Sequence, residues 1–154
     1  MDRRNAWNHM HTYNMANHSD YGPEPFVADI DKIAMQNGNF RAALWTGTHL
    51  QLTLMSIPVG GEIGLETHPH VDQFLRIESG VGLVRMGNSQ DKLNYQMNVC
   101  PGYAVFVPAG VWHNLINTGN RPIKLFSIYA PPEHPHGTVH ETKEMAEAAE
   151  PHHF

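Results

Sequence analysis

The chain has 154 residues, a formal net charge of −5 and a single cysteine, Cys100. This length fits one domain with a sizeable core, and the negative charge leaves no basic footprint for nucleic acid. A lone cysteine cannot form an internal disulfide, and the sequence has neither a signal-peptide pattern nor an apolar run long enough to cross a membrane. We therefore expect a cytoplasmic protein that binds neither nucleic acid nor membranes.

The beginning of the chain differs in composition from the rest. Residues 1–25 form a polar, Asn-rich leader that ends in a Pro-containing turn, and we predict one folded domain over residues 26–154. Asp29 is a good N-cap for a short helix, which Asn37 and Gly38 would end.

Short strands separated by turns follow this helix. The alternating pattern predicts strands at Phe40–Thr46, Leu50–Ile57, Gly64–His70, Gln73–Glu78, Val81–Met86, Leu93–Val99, Tyr103–Val107, Val111–Asn117 and Ile123–Ala130. Nine or so short strands without βαβ alternation favour an antiparallel sandwich or barrel, such as a jelly roll. Thr138 and Glu141 form a capping-box pattern, which predicts a short C-terminal helix up to about Glu150.

The sequence also predicts which residues near the candidate site lie in the core and which lie on the surface. Core packing is the favoured interpretation for Trp45, Met55, Phe74, Phe106, Trp112 and Leu115. Arg76 alternates with apolar residues along its strand, and an outward salt bridge is favoured over an inward, substrate-binding position.

Twelve histidines fall into groups of different meaning. His68, His70 and His113 stand next to strong strand patterns, whereas a second group, His134, His136 and His140, follows the last strand. This second group could bind another metal or fold over the barrel mouth. We favour a Pro-rich surface crossover with solvated imidazoles, since no strand or helix fixes the three together.

A polar cluster runs from Glu66 to Gln73. In an extended segment, residues 66, 68 and 70 lie on the same face, so Glu66 would point inward with His68 and His70. Burying a carboxylate beside imidazoles is unfavourable unless something pairs with it, and a divalent metal would do so. Gln73 could add a carbonyl oxygen, and His113 would close the site from a neighbouring hairpin. Such mixed ligands suit zinc, iron, manganese, nickel or copper.

The segment around His113 carries a family resemblance. Gly102, Pro108, Gly110, His113 and Asn117 match every specified position of the second cupin motif, G(x)5PxG(x)2H(x)3N. The chain therefore resembles the cupins, in which the motif positions hold one divalent metal inside the barrel.

The first cupin motif, G(x)5HxH(x)3-4E(x)6G, is matched in spacing but altered in residues. With Gly60 and Gly80 as anchors, Glu66 takes the place of the first histidine, His68 that of the second, and Gln73 that of the glutamate. A competing register keeps His68 and His70 as the HxH pair but leaves only two residues before Gln73. We favour the first register because both glycines agree with it.

The resemblance implies a small single-domain bacterial cupin, similar to proteins labelled mannose-6-phosphate isomerase-like. It implies an all-β antiparallel jelly-roll barrel with short flanking helices. One divalent metal would be bound by Glu66, His68, Gln73 and His113, with His70 as an alternative ligand. A homodimer is common among cupins of this kind.

Three functions remain open at this point. The first is a metal-dependent isomerase, dioxygenase or cyclase that acts on a small carbonyl, sugar or acid, with Glu66 or His70 as catalytic proton shuttle. The second is a non-catalytic module that binds or senses a small molecule or a metal. The third is a metal-free barrel in which the altered motif marks lost binding.

Overall fold

The computed structural model describes residues 20–150, so most of the predicted leader lies outside the described range. Nine strands and two short helices make up this part of the chain. Helix α1 is Ile30–Gln36; the strands are β1 Arg41–Thr46, β2 Gln51–Ile57, β3 Asp72–Ser79, β4 Gly82–Gly87, β5 Tyr95–Val99, β6 Ala104–Val107, β7 Trp112–Asn117, β8 Ile123–Ala130 and β9 Val139–His140; helix α2 is Lys143–Ala149.

The strands form two antiparallel sheets that face each other. One has the order β6-β3-β8-β2-β1-β9 and the other the order β5-β4-β7. Glu62 and Glu66 extend the smaller sheet by isolated antiparallel bridges to Ile116 and His113 of β7. The predicted all-β antiparallel architecture with short flanking helices is confirmed, and the two layers enclose one interior.

The interior has an apolar end and a polar end. Across β3, β8 and β2 of the larger sheet, the aligned inward rows are Gln73, Tyr129 and Gln51, then Leu75, Ser127 and Thr53, then Ile77, Leu125 and Met55. The last of these rows belongs to the main hydrophobic cluster, and its three side chains are fully buried. Burying the first row is favourable only where its polar atoms find partners, so that row marks the end at which a polar site can form.

Helix α1 covers the outer face of the larger sheet. Asp29 caps it by accepting a hydrogen bond from the Lys32 backbone N–H, as predicted. Ile33 packs with Leu44 and Leu54 in a second, smaller apolar cluster. Within residues 20–150, neither helix has the length or the continuous apolar character to span a bilayer.

Two predicted elements differ from the structure. The strand expected at Gly64–His70 is an irregular extended segment whose one strand-like pairing is the Glu66–His113 bridge. The helix start expected at Thr138 is also wrong. Val139–His140 form strand β9, in which His140 pairs with Arg41 of β1, and the helix begins after this strand. Helix α2 begins at Lys143 instead, and Thr142 caps it by accepting a hydrogen bond from the Met145 N–H.

Most of the residues expected in the core are at least half-buried, but one is exposed. Met55 and Leu115 are buried as predicted, and Trp45, Phe74 and Trp112 are half-buried. Phe106 is 68% exposed, because strand alternation turns its neighbours Val105 and Val107 inward and Phe106 outward. Arg76 points outward, with its Nε 3.8 Å from Glu78 Oε1, as expected.

Candidate metal centre

Glu66, His68 and His113 converge at the polar end of the interior, with one ligand atom from each lying within 4.8 Å of the others. Glu66 Oε1 is 3.4 Å from His68 Nε2 and 3.4 Å from His113 Nε2. Glu66 and His68 precede β3, and His113 lies on β7. The pairing of these two segments therefore brings together parts of the site that are far apart in the chain.

Backbone hydrogen bonds set this convergence. The Glu66 N–H donates to the His113 carbonyl at 3.0 Å, and the His113 N–H donates to the Glu66 carbonyl at 2.9 Å. The Gly110 N–H donates to the His68 carbonyl at 2.9 Å, which ties the Pro108–Gly110 turn to the same segment. The geometry thus agrees with the register that aligns Glu66 and His68 with the first cupin motif.

Ten buried side-chain atoms within residues 20–150 have no hydrogen-bond partner, and four of them are the candidate ligand atoms Glu66 Oε1, His68 Nε2, Gln73 Oε1 and His113 Nε2. Buried polar atoms are nearly always paired, because an unpaired one costs about 1–3 kcal/mol. All four can donate a lone pair, provided that both imidazoles are neutral at Nε2. The donor set therefore fits a divalent cation that accepts nitrogen and oxygen ligands.

The remaining polar atoms of three of these side chains are held by neighbours. His68 Nδ1 lies 3.1 Å from Glu133 Oε1, and His113 Nδ1 lies 3.0 Å from the Val111 carbonyl oxygen. Gln73 Nε2 donates to Ser127 Oγ at 2.9 Å. Such contacts fix a ligand's tautomer and orientation and commonly support metal-binding histidines.

Electrostatics at the cluster couples Glu66 to His68. Burial raises the pKa of the Glu66 carboxyl, but His113 and His68 together outweigh this and hold that pKa well below its usual range. Burial lowers the pKa of His68, but Glu133 and Glu66 outweigh it and raise this pKa to about 9. A divalent cation held here would therefore compete with a proton on His68.

The other two predicted site residues lie in different places. Gln73 is 4% exposed on β3, next to Tyr129 of β8, whose ring meets that of His68 edge-on at 5.8 Å. His70 is exposed and lies at the rim of a cavity of about 560 Å³ that Glu66 and His68 also line. The structure thus groups Glu66, His68 and His113, leaves Gln73 on the adjoining wall and places His70 at the entrance.

The crossover after β8 lies largely on the surface, as we favoured, but only one of its three imidazoles is solvated. His140 is buried, and the His134 side chain is 8% exposed, with its Nδ1 2.6 Å from Glu150 Oε2. The fully buried Gln51 side chain bonds both the backbone N–H and the carbonyl of His134, and these bonds draw the crossover over the cavity. His136 does stay more than half exposed, and its Nε2 contacts the Gly22 carbonyl.

Sequence reasoning also missed Glu133, Arg41 and Tyr129, all of which lie close to the cluster. Glu133 stands in a Pro-rich stretch without periodicity, and it reaches His68 only because the crossover folds back. For Arg41, the sequence offered one indication, which is that a charged residue occupies a strand position where the alternation predicts an inward-facing side chain.

Comparison with known proteins agrees with this fold and these motifs. The profile of the cupin domain matches residues 53–129. The Bacillus subtilis protein YrkC is 65% identical over 131 residues, which cover 85% of this chain and 70% of YrkC. The mimivirus protein L612 is 34% identical over 115 residues, 74% of this chain and 70% of L612.

A solved structure, BH2720 from Bacillus halodurans, superposes with a TM-score of 0.84 at 64% identity, covering 84% of this chain and 98% of BH2720. The chain belongs to the cupin family. Its expected likeness to mannose-6-phosphate isomerases stays a prediction.

Proposed function

We propose that this cupin is a metal-dependent enzyme that acts on a small organic molecule (a carbonyl compound, a sugar or an acid) inside the barrel. Glu66, His68, Gln73 and His113 would hold one divalent cation. The observation that carries the proposal is the convergence of Glu66, His68 and His113, the first two of which line a cavity large enough for such a substrate.

Each residue has a definite part in this proposal. His68 and His113 supply neutral Nε2 atoms, because Glu133 and the Val111 carbonyl engage Nδ1. A bound cation would polarise a substrate oxygen or lower the pKa of a bound water. His70, which lines the cavity, would exchange a proton between the substrate and solvent.

The charge of this donor set favours the same conclusion. One carboxylate and three neutral donors give the net charge of the usual three-histidine, one-glutamate cupin site, with the carboxylate at a different position. If the amide of Gln73 binds weakly, the cation keeps a coordination position open for water or substrate.

Elemental analysis followed by turnover assays tests the proposal. The purified protein, reconstituted separately with zinc, manganese, iron, nickel and copper, is expected to bind one equivalent and to convert at least one carbonyl, sugar or acid substrate. The failure of every one of these metals to bind would remove the metal centre and favour a metal-free barrel.

A second candidate is a non-catalytic module that binds or senses a metal or a small molecule. It is favoured by the supply of all four donors from the protein, as in closed structural sites. Reversible ligand binding without conversion, at full metal occupancy, would support this candidate over the enzyme.

Assembly is a separate proposal. We propose a homodimer, since β5 and β6 are edge strands and edge strands in stable proteins are usually covered. Sedimentation at several protein concentrations would test it, and a monomer throughout would overturn it.

A further inference from the structure

Arg41 is a buried cation without an ion pair. It is 5% exposed, and its Nε has no hydrogen-bond partner within residues 20–150. No carboxylate in that range forms an ion pair with it, and the guanidinium carbon instead lies 5.3 Å from the centre of the Phe40 ring. Its charge acts on Glu150 without a direct ion pair, and its buried Nε–H is left available for an anion that comes from elsewhere.

The hydroxyl of Tyr129 lies beside this arginine. Tyr129 is fully buried, and although Ser127 and Arg41 are near, its hydroxyl makes no hydrogen bond of normal geometry within residues 20–150. Two unused donors are thus close together.

These donors adjoin the metal centre. The Tyr129 ring meets the His68 ring edge-on at a centroid distance of 5.8 Å, and Arg41 lines the same 560 Å³ cavity as Glu66 and His68. The wall of this cavity thus carries Arg41 together with two members of the candidate metal centre, Glu66 and His68.

We propose that Arg41 and the Tyr129 hydroxyl form an anion subsite that binds the carboxylate of the substrate, with another oxygen of the same molecule directed at the metal centre. The proposal rests on the proposed function, which it narrows to small hydroxy or oxo acids. Guanidinium is the side chain best matched to a carboxylate, because its planar N–H groups can pair with both oxygens.

A monoanion fits this cavity better than a dianion such as phosphate. The lining includes the acidic residues Glu66, Glu133, Glu147 and Glu150 beside Arg41. One guanidinium and one hydroxyl can balance a single carboxylate, whereas a doubly charged group would meet further repulsion from these acids.

A rival role for Arg41 is purely structural. Its charge, after that of His134, helps to lower the pKa of Glu150. Removing Arg41 would then destabilise the fold without changing the preference for an anionic ligand, so ligand preference separates the two roles.

The test is calorimetric titration of the full chain with lactate and with its neutral counterpart lactamide, both zinc-loaded and metal-free. The variants are Arg41→Met, Arg41→Lys and Tyr129→Phe. Arg76→Met, which removes an arginine from the outer face of β3, is the matched control. Thermal unfolding of each variant reports whether it folds.

We expect the zinc-loaded protein to bind lactate at least tenfold more tightly than lactamide. Arg41→Met should abolish this preference, Arg41→Lys should restore part of it, Tyr129→Phe should weaken lactate binding severalfold, and Arg76→Met should change nothing. If Arg41→Met does not fold, Arg41→Lys and Tyr129→Phe decide the question.

Equal binding of lactate and lactamide, or an unchanged preference in the folded variants, would overturn the subsite while zinc binding still supports the metal centre. Tighter binding of inorganic phosphate than of lactate would overturn the carboxylate assignment. If neither zinc nor manganese, iron, nickel or copper binds, the metal centre fails. In that case, a preference of the metal-free protein for lactate that depends on Arg41 would still support the anion subsite. If this preference is also absent, both the metal centre and the anion subsite are overturned.

Discussion

Glu66 and His113 exchange both backbone hydrogen bonds, at 3.0 and 2.9 Å, and their side chains meet with Glu66 Oε1 3.4 Å from His113 Nε2. One β-bridge therefore sets the relative position of two candidate ligands from different parts of the chain. A change of side chain at either position leaves the bridge intact, so the ligand set can be altered without moving the backbone that presents it.

The first prediction follows from that bridge. Glu66→Gln keeps the shape of the side chain but removes the only anionic donor of the candidate site. We expect divalent-metal affinity to fall by roughly 100-fold or more, since the loss of a residue that merely supports a ligand already lowers affinity by about 10–100-fold. Competition with a chelator of known affinity measures this. His70→Gln, at the cavity rim, is the control and should change affinity little; equal losses in both variants would contradict the assignment.

The second prediction concerns the support of His68. Glu133→Gln replaces the carboxylate 3.1 Å from His68 Nδ1 and should lower metal affinity by about 10–100-fold, because the imidazole loses its orienting partner. The matched control is Glu147→Gln, a change on α2 in the lining of the same cavity. If this control loses as much affinity, the effect comes from the general charge of the cavity and not from the contact with His68.

The third prediction is a pH dependence away from the metal centre. Burial and the nearby Asp31 raise the pKa of Glu78 from 4.5 to about 7. The folded protein therefore keeps a proton that the unfolded chain loses, so the free energy of unfolding falls as pH rises from 4.5 to about 7 and is level above that. Glu78→Gln should raise the free energy of unfolding by about 1–2 kcal/mol at pH 8 and by almost nothing at pH 4.

Urea unfolding of the metal-free protein at both pH values measures that difference. Glu144→Gln, on the exposed side of α2, should show no pH-dependent change. A gain for Glu78→Gln that is equal at pH 4 and pH 8 would mean that the ionisation of Glu78 is not its cause.

The fourth prediction concerns Asn117, the last residue of the second cupin motif. Its Nδ2 lies within hydrogen-bonding distance of the carbonyls of Ile57, Pro58 and Arg121, and its Oδ1 accepts from the Gly119 N–H. The Asn117 side chain is buried beneath a largely exposed turn, so Asn117→Ala leaves these groups without their partners and should cost roughly 2–4 kcal/mol.

Thermal or urea unfolding would measure this loss, with the exposed Asn120→Ala as control. Destabilisation by Asn117→Ala no larger than that of the control would show that water replaces the lost partners.

Local patterns were enough to predict most of this fold. The alternation in β2 and β8 marks both strands, and Asp29 predicts the start of α1. The spacing of the two motifs also predicted that Glu66 and His68 would meet His113, because glycines fix the turns on which that register depends.

The errors arise where tertiary pairing overrides local preference. Thr138 and Glu141 match the capping-box pattern in sequence, yet Val139–His140 pair with β1, and the helix begins only at Lys143, with Thr142 as its N-cap. Burial of His134 depends on Gln51, 83 positions away in the sequence, and no local pattern reports such a contact.

The division of the interior into an apolar and a polar end separates two properties of this protein. Rows such as Ile77, Leu125 and Met55 hold the sheets together, whereas the polar row that contains Gln73 contributes donors and little cohesion. Changes among the donors can therefore alter the chemistry of the polar end while the sheets keep their packing. A barrel of this kind can acquire new chemistry at one end and inherit its rigidity from the other.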